Sequence, residues 1–219
     1  MANLKTFINP ISCSRISAFS FLGIFFIVSI YVPIINQAPN YMRGCEVVSL
    51  QMLLAHAGIE VTTDDLIAGL KFDETPYTLI DGRVHFGNPY LGFVGDIYTF
   101  KNPGLGVYYP PIYNLMANYI RPVNLSEQPF SEIEKYLDSG KPVWVIVNAK
   151  YDILEESDFE DWETPAGTLK ITKWMHAVVL TGYSETEVFF ADPLNKKNNA
   201  LKENFVKAWE QLGSQALSY

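Results

Sequence analysis

The segment from Gly44 to Ala57 constrains the fold most, because it has the length of a helix and no polar face. Gly58 follows at the position where helices commonly turn out of the helical path. Apolar residues fall on nearly every side of the predicted helix: Val47, Val48, Leu50, Met52, Leu53, Leu54 and Ala55. Because such a helix is stable in water only when other elements cover it, the chain must supply packed layers around it.

The rest of the 219-residue chain supplies covering elements that fit one domain, first helices and then strands. We predict helices from Glu60 or Thr62 to Leu70, over Pro110–Tyr119, over Pro129–Ser139 and over Lys202–Leu212. We predict strands at Val143–Val147, Ala177–Leu180, Val188–Phe190 and Gln215–Tyr219. The stretch Lys71–Gly106, rich in Gly, Pro, Asn and aromatic residues, is predicted to be a long functional loop. This order predicts an α+β fold, with helix and antiparallel sheet layers packed face to face.

A hydrophobic segment precedes this body. No charged residue occurs between Ile16 and Met42, and Lys5 and Arg15 precede the apolar run. The alternatives are a cleaved signal peptide, an uncleaved membrane anchor and a buried core helix. Bulky side chains around Ser29-Ile30-Tyr31 argue against cleavage, because signal peptidase requires small residues near its site.

We therefore expect residues 1–31 to form a membrane anchor or signal peptide, with a hydrophobic helix from Ile16 to about Val32. Residues 32–219 then form the folded domain. Because basic residues precede the apolar run, we expect this domain to be anchored on the extracytoplasmic side of the membrane or secreted.

The chain is acidic, with a formal net charge of -8 and a pI of about 4.9. The first 32 residues contain Lys5 and Arg15 and no acid, so the remainder carries -10. Such a surface repels phosphate backbones, and no basic patch with interleaved aromatic residues offsets it. We therefore expect neither nucleic acid nor nucleotide as a partner, because a Gly-rich phosphate loop is also missing from the sequence. Cations or peptides are the expected partners.

Cys45 is the candidate nucleophile. The two cysteines of the chain, Cys13 and Cys45, are too few for a disulfide framework. Cys45 follows Gly44 in the first turn of the predicted helix, where free N–H groups and the helix dipole favour the thiolate, which is the nucleophilic form. The alternative is a small buried apolar residue, which is the commonest role of an unpaired cysteine.

His176 and Asp192 are candidates for a general base and its orienting carboxylate. His176 opens one predicted strand, and Asp192 closes the next one, sixteen residues later. A hairpin can set them side by side, so that the carboxylate fixes the tautomer of the ring and one ring nitrogen faces a thiol. The alternatives are a satisfied core histidine and a turn aspartate before Pro193.

Gln37 is the candidate oxyanion donor. It lies in a polar turn eight residues before Cys45, and the turn can bring its side-chain amide next to the Cys45 N–H. The alternative is an ordinary polar loop residue.

These residues belong to a longer series of motifs in a fixed order: Val32–Gln37, Gly44–Val47, Gly92–Asp96, Gly106–Tyr108, Gly140–Val145, Trp162–Pro165, His176–Val179, Asp192–Leu194 and Phe205–Ala216. With them, the chain resembles the bacterial cysteine peptidase-like domains related to the double-glycine leader peptidases, which belong to the papain-like superfamily. The resemblance covers about residues 32–219. It implies a papain-like fold, in which a buried nucleophile helix packs on an antiparallel sheet.

The resemblance implies Cys45 as nucleophile, His176 as general base and acid, Asp192 as the orienting residue and Gln37 as oxyanion donor, with no metal or cofactor. We therefore expect a cysteine peptidase that hydrolyses a peptide bond in a peptide or protein substrate. No ATP-binding domain like that of the transporter-fused leader peptidases occurs in the sequence, so their Gly-Gly specificity is not carried over. Three alternatives stay open: a silent domain that binds a peptide or cell-wall fragment, a thioester-forming acyl transferase, and a membrane-tethered interaction module.

Two acidic features have no assigned role in this interpretation. Glu46, beside Cys45, is predicted to point outward from the first helical turn. The acidic run from Asp152 to Asp161 is predicted to be a solvated loop, and the alternative is a cation site.

Overall fold

A computed structural model describes residues 28–219. Most of the predicted N-terminal helix, and therefore the predicted anchor or signal peptide, lies outside the described residues. Its last residues are described: Val28–Ser29 form strand β1, and the Ile30 N–H donates to the Thr181 carbonyl at 2.7 Å. The prediction of a helix up to Val32 is wrong for these residues, because their backbone pairs with a sheet. Among residues 28–219, no helix is both long enough and apolar enough to cross a bilayer.

The described chain contains helices and strands in mixed order. The α-helices are α1 Cys45–His56, α2 Thr63–Gly69, α3 Tyr109–Met116, α4 Phe130–Asp138 and α5 Lys202–Gln211. The strands are β1 Val28–Ser29, β2 Phe72–Asp73, β3 Thr78–Ile80, β4 Arg83–His85, β5 Phe93–Gly95, β6 Gly104–Gly106, β7 Val123–Asn124, β8 Val143–Asn148, β9 Glu160–Thr164, β10 Gly167–Ile171, β11 Met175–Tyr183, β12 Glu187–Ala191, β13 Asn199–Leu201 and β14 Ala216–Ser218. The predicted α+β class is confirmed, and the helices and strands predicted outside Lys71–Gly106 are present within a few residues of their expected ends.

The largest sheet has the order β13-β12-β11-β8-β14-β7, and β1 also pairs with β11. Every pair in this sheet is antiparallel. The long strand β11 is the centre of the site described below, because it pairs with β8 over Met175–Leu180 and with β12 over Val179–Tyr183.

Helices cover both faces of this sheet, so the domain has three layers. The sequence predicted helix and sheet layers packed face to face, without a helix layer on each face. Strand β8 shows the arrangement: Trp144 and Ile146 join the core around α1, whereas the core with α4 and α5 takes Val143, Val145 and Val147. A strand buried on both faces needs apolar residues at successive positions, which explains the continuous run Val143–Val147. The α1 helix is buried as predicted.

The prediction of a loop over Lys71–Gly106 is wrong in part, because the segment contains strands β2 to β6. Each has two or three residues, too few for an alternating pattern, and the partners of β4 lie far along the chain: Val84 pairs with Trp162 of β9 in a parallel register. The strands form a four-stranded sheet, β10-β9-β4-β3, and a three-stranded sheet, β2-β5-β6. These small sheets form one wall of the cavity described below.

The acidic run is partly ordered by lysines. Asp158 pairs with Lys150 at 2.9 Å, Glu160 pairs with Lys173 at 3.0 Å, and Glu156 pairs with Lys170. Residues 156–158 form a 3₁₀ turn and residues 160–164 form β9, so the prediction of a plain solvated loop is wrong for this part. In the described chain, no three metal-ligating side chains converge here or elsewhere.

Candidate active site

The start of α1 places Cys45 at the first helical residue, as predicted. The Gly44 N–H donates to the Tyr41 carbonyl at 2.9 Å, and a Cβ on Gly44 would lie only 2.6 Å from the Tyr41 Cβ. Any other residue at 44 would therefore push the helix start away from the turn before it. The thiol is held at the N-terminus of α1, and only 7% of Cys45 is exposed.

The largest sheet, which is the central layer of the domain, brings His176 and Asp192 together. His176 lies near the start of β11, Asp192 directly follows β12, and the register pairs Val179 with Ala191. The His176 Nε2 and the Asp192 Oδ1 are 2.8 Å apart, and both side chains are buried. Since Nε2 faces the carboxylate, Nδ1 is the ring nitrogen that remains for a thiol.

The surroundings of Asp192 favour its ionised form. The carboxylate also accepts backbone N–H groups from Leu194 at 2.8 Å, Lys196 at 3.2 Å and Lys197 at 3.4 Å. Burial by itself raises the pKa of this group, but the hydrogen bond and charge of His176, with the backbone donors, outweigh burial and lower the pKa to about 2. Asp192 therefore stays negatively charged under His176.

Gln37 lies between the two sides of the site. Its backbone N–H donates to the Pro193 carbonyl at 2.9 Å, next to Asp192. Its side-chain Nε2 lies 3.2 Å from the Tyr41 carbonyl and 3.1 Å from the Met42 carbonyl, while Oε1 is buried without a partner among residues 28–219. Both N–H groups of the amide thus have acceptors, so donation to an oxyanion requires one of these bonds to exchange.

One cavity of about 640 Å³ brings the candidate residues to a common surface, because Gln37, Cys45 and His176 all line it. Asp192 supports His176 from beneath and is only 1% exposed. Apolar and aromatic side chains form much of the wall, including Phe86 of the β4 segment. The cavity therefore combines a thiol, an imidazole and an amide with an apolar surface, as a peptide-binding cleft requires.

Glu46 is buried, so the prediction that it points outward is wrong. Its Oε2 accepts the Cys45 thiol at 3.2 Å, and its Oε1 accepts the Val107 N–H at 2.9 Å. The backbone is fixed as well, because the Trp144 indole donates to the Glu46 carbonyl at 2.9 Å. The available signal was the helix itself: where no face is polar, an acid in the first turn has no solvent side to occupy.

Gly106 makes room for the Glu46 carboxyl. A Cβ at this position would lie 2.0 Å from Glu46 Oε1 and 2.5 Å from Met175 Cε, and the backbone has a φ of +139°. Burial raises the pKa of Glu46 to about 7, against the lowering effect of the Val107 N–H. Near neutral pH the carboxyl is therefore about half protonated.

The same surroundings disfavour the Cys45 thiolate in the protein without substrate. Burial, and then the charge and hydrogen bond of Glu46, raise the pKa of the thiol, whereas the Ala177 backbone acts in the opposite direction. Among the described residues, the hydrogen-bond partner of the thiol is Glu46. A nucleophilic thiolate therefore requires the thiol proton to pass to His176.

Tyr151 is a further residue of the site that the sequence did not indicate. Its ring packs edge-on to the His176 ring, with centroids 6.1 Å apart, and stacks on Phe190 at 4.6 Å. The backbone adopts a φ of +56°, which is uncommon for a bulky residue. Burial, with the nearby Asp192 charge, raises the pKa of Tyr151, so the phenol stays neutral behind the imidazole. A tyrosine after a strand carries no sequence signal for this position.

Known proteins share much of this sequence and fold. The chain is 39% identical over 184 residues to the uncharacterized protein YvpB of Bacillus subtilis, a match that covers 83% of this chain and 70% of that protein. A crystal structure of a candidate C39-like peptidase from Bacillus anthracis superposes with a TM-score of 0.82 at 41% identity, covering 89% of this chain and 97% of the other.

A family model gives the assignment directly, because the model of the Peptidase_C39 like family matches residues 29–217. The match spans the buried helix, the central sheet and all four candidate residues, and it agrees with the resemblance to papain-like cysteine peptidase-like domains. The chain therefore belongs to the Peptidase_C39 like family.

Proposed function

We propose that the protein is a cysteine peptidase, in which Cys45 is the nucleophile, His176 the general base and acid, and Asp192 the residue that orients the imidazole. One observation carries the proposal: His176, which is paired with the buried Asp192 at 2.8 Å, lines the same cavity as a cysteine at a helix N-terminus. A thiol, an imidazole and a carboxylate in this order are the components of acyl transfer to a cysteine.

The reaction proceeds in two halves. The His176 Nδ1 takes the proton of the Cys45 thiol, and the thiolate attacks the peptide carbonyl, whose oxygen becomes an oxyanion. The Cys45 N–H and the Gln37 amide donate to that oxygen once Gln37 has released one of its carbonyl partners. The protonated His176 then gives its proton to the leaving amine as the C–N bond breaks. Water, deprotonated by His176, hydrolyses the thioester and restores the thiol.

A second candidate function is a silent domain that binds a peptide in the cavity without cleaving it. The observation that favours it is the thiol hydrogen bond to Glu46, which holds the proton away from His176 in the resting site. The two candidates differ in thiol chemistry: a peptidase has a reactive Cys45 with a lowered apparent pKa, and a silent domain has an ordinary thiol with a pKa near ~8.5 or above. Alkylation rates measured against pH distinguish them.

We further propose that the apolar segment before β1 either anchors the protein to a bacterial membrane, with the domain on the extracytoplasmic side, or is removed as the signal peptide of a secreted domain. The apolar composition of the segment and its two basic residues support this location, and the Bacillus origin of both relatives supports a bacterial membrane. The proposed partners are a peptide or protein substrate and, through this segment, the membrane.

The test is the Cys45→Ala variant against internally quenched peptides. It should abolish turnover while the domain stays folded, because Ala fits the space of the thiol but has no nucleophile. Circular dichroism of the variant is the control for folding. Turnover at the wild-type rate in Cys45→Ala would reject the nucleophile. Adding a small amine to the wild-type reaction separates hydrolysis from acyl transfer, because a transferase forms the amide product.

A further inference from the structure

The charged side chains that line the cavity are all cationic: Arg43, Lys101, Lys173 and Lys196. No aspartate or glutamate lines it within the described chain. The protein as a whole has the opposite balance, with 24 acidic against 16 basic residues. The cavity is thus a basic surface on an acidic protein.

The cations form two groups at the candidate site. Arg43, just before α1, and Lys101, in the loop between β5 and β6, form the group on the helix side of the site. The Arg43 Nη1 donates to the Asp96 carbonyl of this loop at 3.1 Å, and the guanidinium lies 4.8 Å from the centre of the Phe100 ring. These contacts hold Arg43 in place without neutralising its charge by a direct ion pair.

The other two cations belong to the sheet side. Lys173 precedes β11 and Lys196 follows β12, so both lie at the end of the sheet that carries His176. Lys173 is already paired with Glu160 at 3.0 Å. Across residues 28–219, no carboxylate lies within ion-pair distance of Lys101 or Lys196, so these two charges are available to a ligand.

The carboxyl groups nearest the nucleophile do not offset these charges at the cavity surface. Asp192 is beneath His176 and Glu46 is fully buried, and neither lines the cavity. Part of the apolar wall comes from the sheet β10-β9-β4-β3 and its flanking residues, where the Phe86 ring packs against both Tyr77 and Trp162. A ligand that fits this surface therefore combines negative charge with an apolar or aromatic side chain.

We propose that the cavity selects acidic peptide segments, with Asp or Glu residues near an apolar or aromatic residue. The proposal rests on the proposed peptidase function for the position of the scissile bond, but binding itself needs only the cavity. Complementary charge increases both the rate of encounter and the discrimination against wrong partners, so a neutral or basic peptide binds less well. Added salt weakens this preference, because the lysines are exposed.

The experiment compares pools of internally quenched peptides that differ at one position, which is Glu in one pool and Gln in the other. The two side chains have the same size, so a preference reports charge. We expect the wild-type protein to cleave the Glu pools with a kcat/KM about tenfold higher at the best position, and the preference to shrink as NaCl is raised. Equal kcat/KM for Glu and Gln pools at every position would overturn the proposal.

Charge reversal locates the effect. The double variant Lys101→Glu with Lys196→Glu should abolish the Glu preference or reverse it. The matched control is Lys141→Glu with Lys207→Glu, which changes the net charge equally at residues outside the cavity and should keep the preference. Preference retained in the cavity variant, or lost equally in the control, would show that the cavity lysines do not select the substrate.

Binding separates this proposal from the peptidase proposal. The Cys45→Ala protein is immobilised, and retention of the Glu and Gln pools is quantified by mass spectrometry. Selective retention of Glu pools without cleavage by the wild type would support selection of acidic peptides by the cavity and reject the peptidase. Cleavage without selective retention or selective turnover would support the peptidase and reject the selection of acidic peptides.

Discussion

Two buried carboxyl groups lie on opposite sides of the candidate site, and their pKa values shift in opposite directions. Asp192, on the sheet side, has a pKa lowered to about 2, whereas Glu46, on the helix side, has a pKa raised to about 7. Both side chains are almost completely inaccessible to solvent, so burial alone cannot explain the difference.

The difference comes from the groups that face each carboxyl. Asp192 accepts from the His176 ring and from three backbone N–H groups. Glu46 accepts from one backbone N–H, that of Val107, and from the weak donor of the Cys45 thiol. A buried carboxylate needs several strong donors or a cation to stay ionised. The sheet side therefore holds a permanent charge, and the helix side holds a proton that can leave near neutral pH.

The largest expected effect follows from replacing each carboxyl by its amide. Asp192→Asn should lower kcat by about 10⁴-fold, because the amide no longer fixes the tautomer of His176 or stabilises the imidazolium. Glu46→Gln should stay within tenfold of the wild type, because its oxygen still accepts the Val107 N–H. The measurement is kcat on the same peptide, with Asp161→Asn, at an exposed position of β9, as the control. Equal losses of kcat in Asp192→Asn and Glu46→Gln would show that the two carboxyl groups do not differ in their roles.

The second prediction concerns the pH dependence of stability. Because the pKa of Glu46 is raised from 4.5 to about 7 by folding, the folded state binds its proton more tightly than the unfolded state. The favourable contribution of the neutral acid is complete below pH 4.5 and is lost as the pH rises through 7. Ionised Glu46 should then cost about 3 kcal/mol in the free energy of unfolding.

Denaturant unfolding of Glu46→Gln across the pH range measures this effect. At pH 4 the variant should match the wild type, and at pH 8 it should be more stable by about 3 kcal/mol, since the amide never ionises. Asp192→Asn should behave oppositely: the ionised Asp192 stabilises the wild type above pH 3.8, and this advantage disappears as the pH falls towards 2. A gap between Glu46→Gln and the wild type that stays constant with pH would contradict the assigned pKa.

The third prediction concerns Gln37, which contacts both the sheet side and the helix side of the site. Gln37→Ala should slow turnover by about 100-fold, because one oxyanion donor is worth about 3 kcal/mol in the transition state. Its KM should change little, since the bond forms only as charge develops. Gln128→Ala, on an exposed loop, is the control. Wild-type kcat in Gln37→Ala would show that the amide keeps its bonds to Tyr41 and Met42 during the reaction.

The sheet side of the site could be predicted from the sequence and the helix side only in part. His176 and Asp192 lie on consecutive strands, so the register of one hairpin sets their distance, and a short stretch of sequence contains the information. Cys45 was predictable in the same way, because the apolar run after it defines a buried helix start.

The environment of Glu46 was not predictable, because its partners come from distant parts of the chain. The Val107 N–H lies 61 positions away and the Trp144 indole 98 positions away, and neither contact leaves a local pattern. The small sheets were missed for the same reason, since β4 pairs in parallel with β9 across the intervening helices. Local periodicity predicts which residues are buried, and long-range pairing decides what they touch.

The smallest effect is expected from Gly106, whose missing side chain gives Glu46 its space. Gly106→Ala should lower the free energy of unfolding by about 2 kcal/mol, because the new Cβ would overlap Glu46 Oε1 in a backbone conformation that alanine also disfavours. Gly140→Ala is the matched control: its φ is also positive, at +78°, but nothing lies within 4 Å of the added Cβ. That variant should lose only about 1 kcal/mol, the cost of the backbone conformation.

The contribution of Glu46 to this crowding can be isolated by a double-mutant cycle. When Glu46→Ala removes the carboxyl, adding Gly106→Ala should cost less than it does in the wild type, because the overlapping atom is gone and Met175 can move its terminal methyl. Chemical denaturation of the four proteins gives the coupling energy. If the two substitutions were strictly additive, Gly106 would be needed for its backbone conformation alone. The position of the Glu46 carboxyl would then not depend on the missing side chain at residue 106.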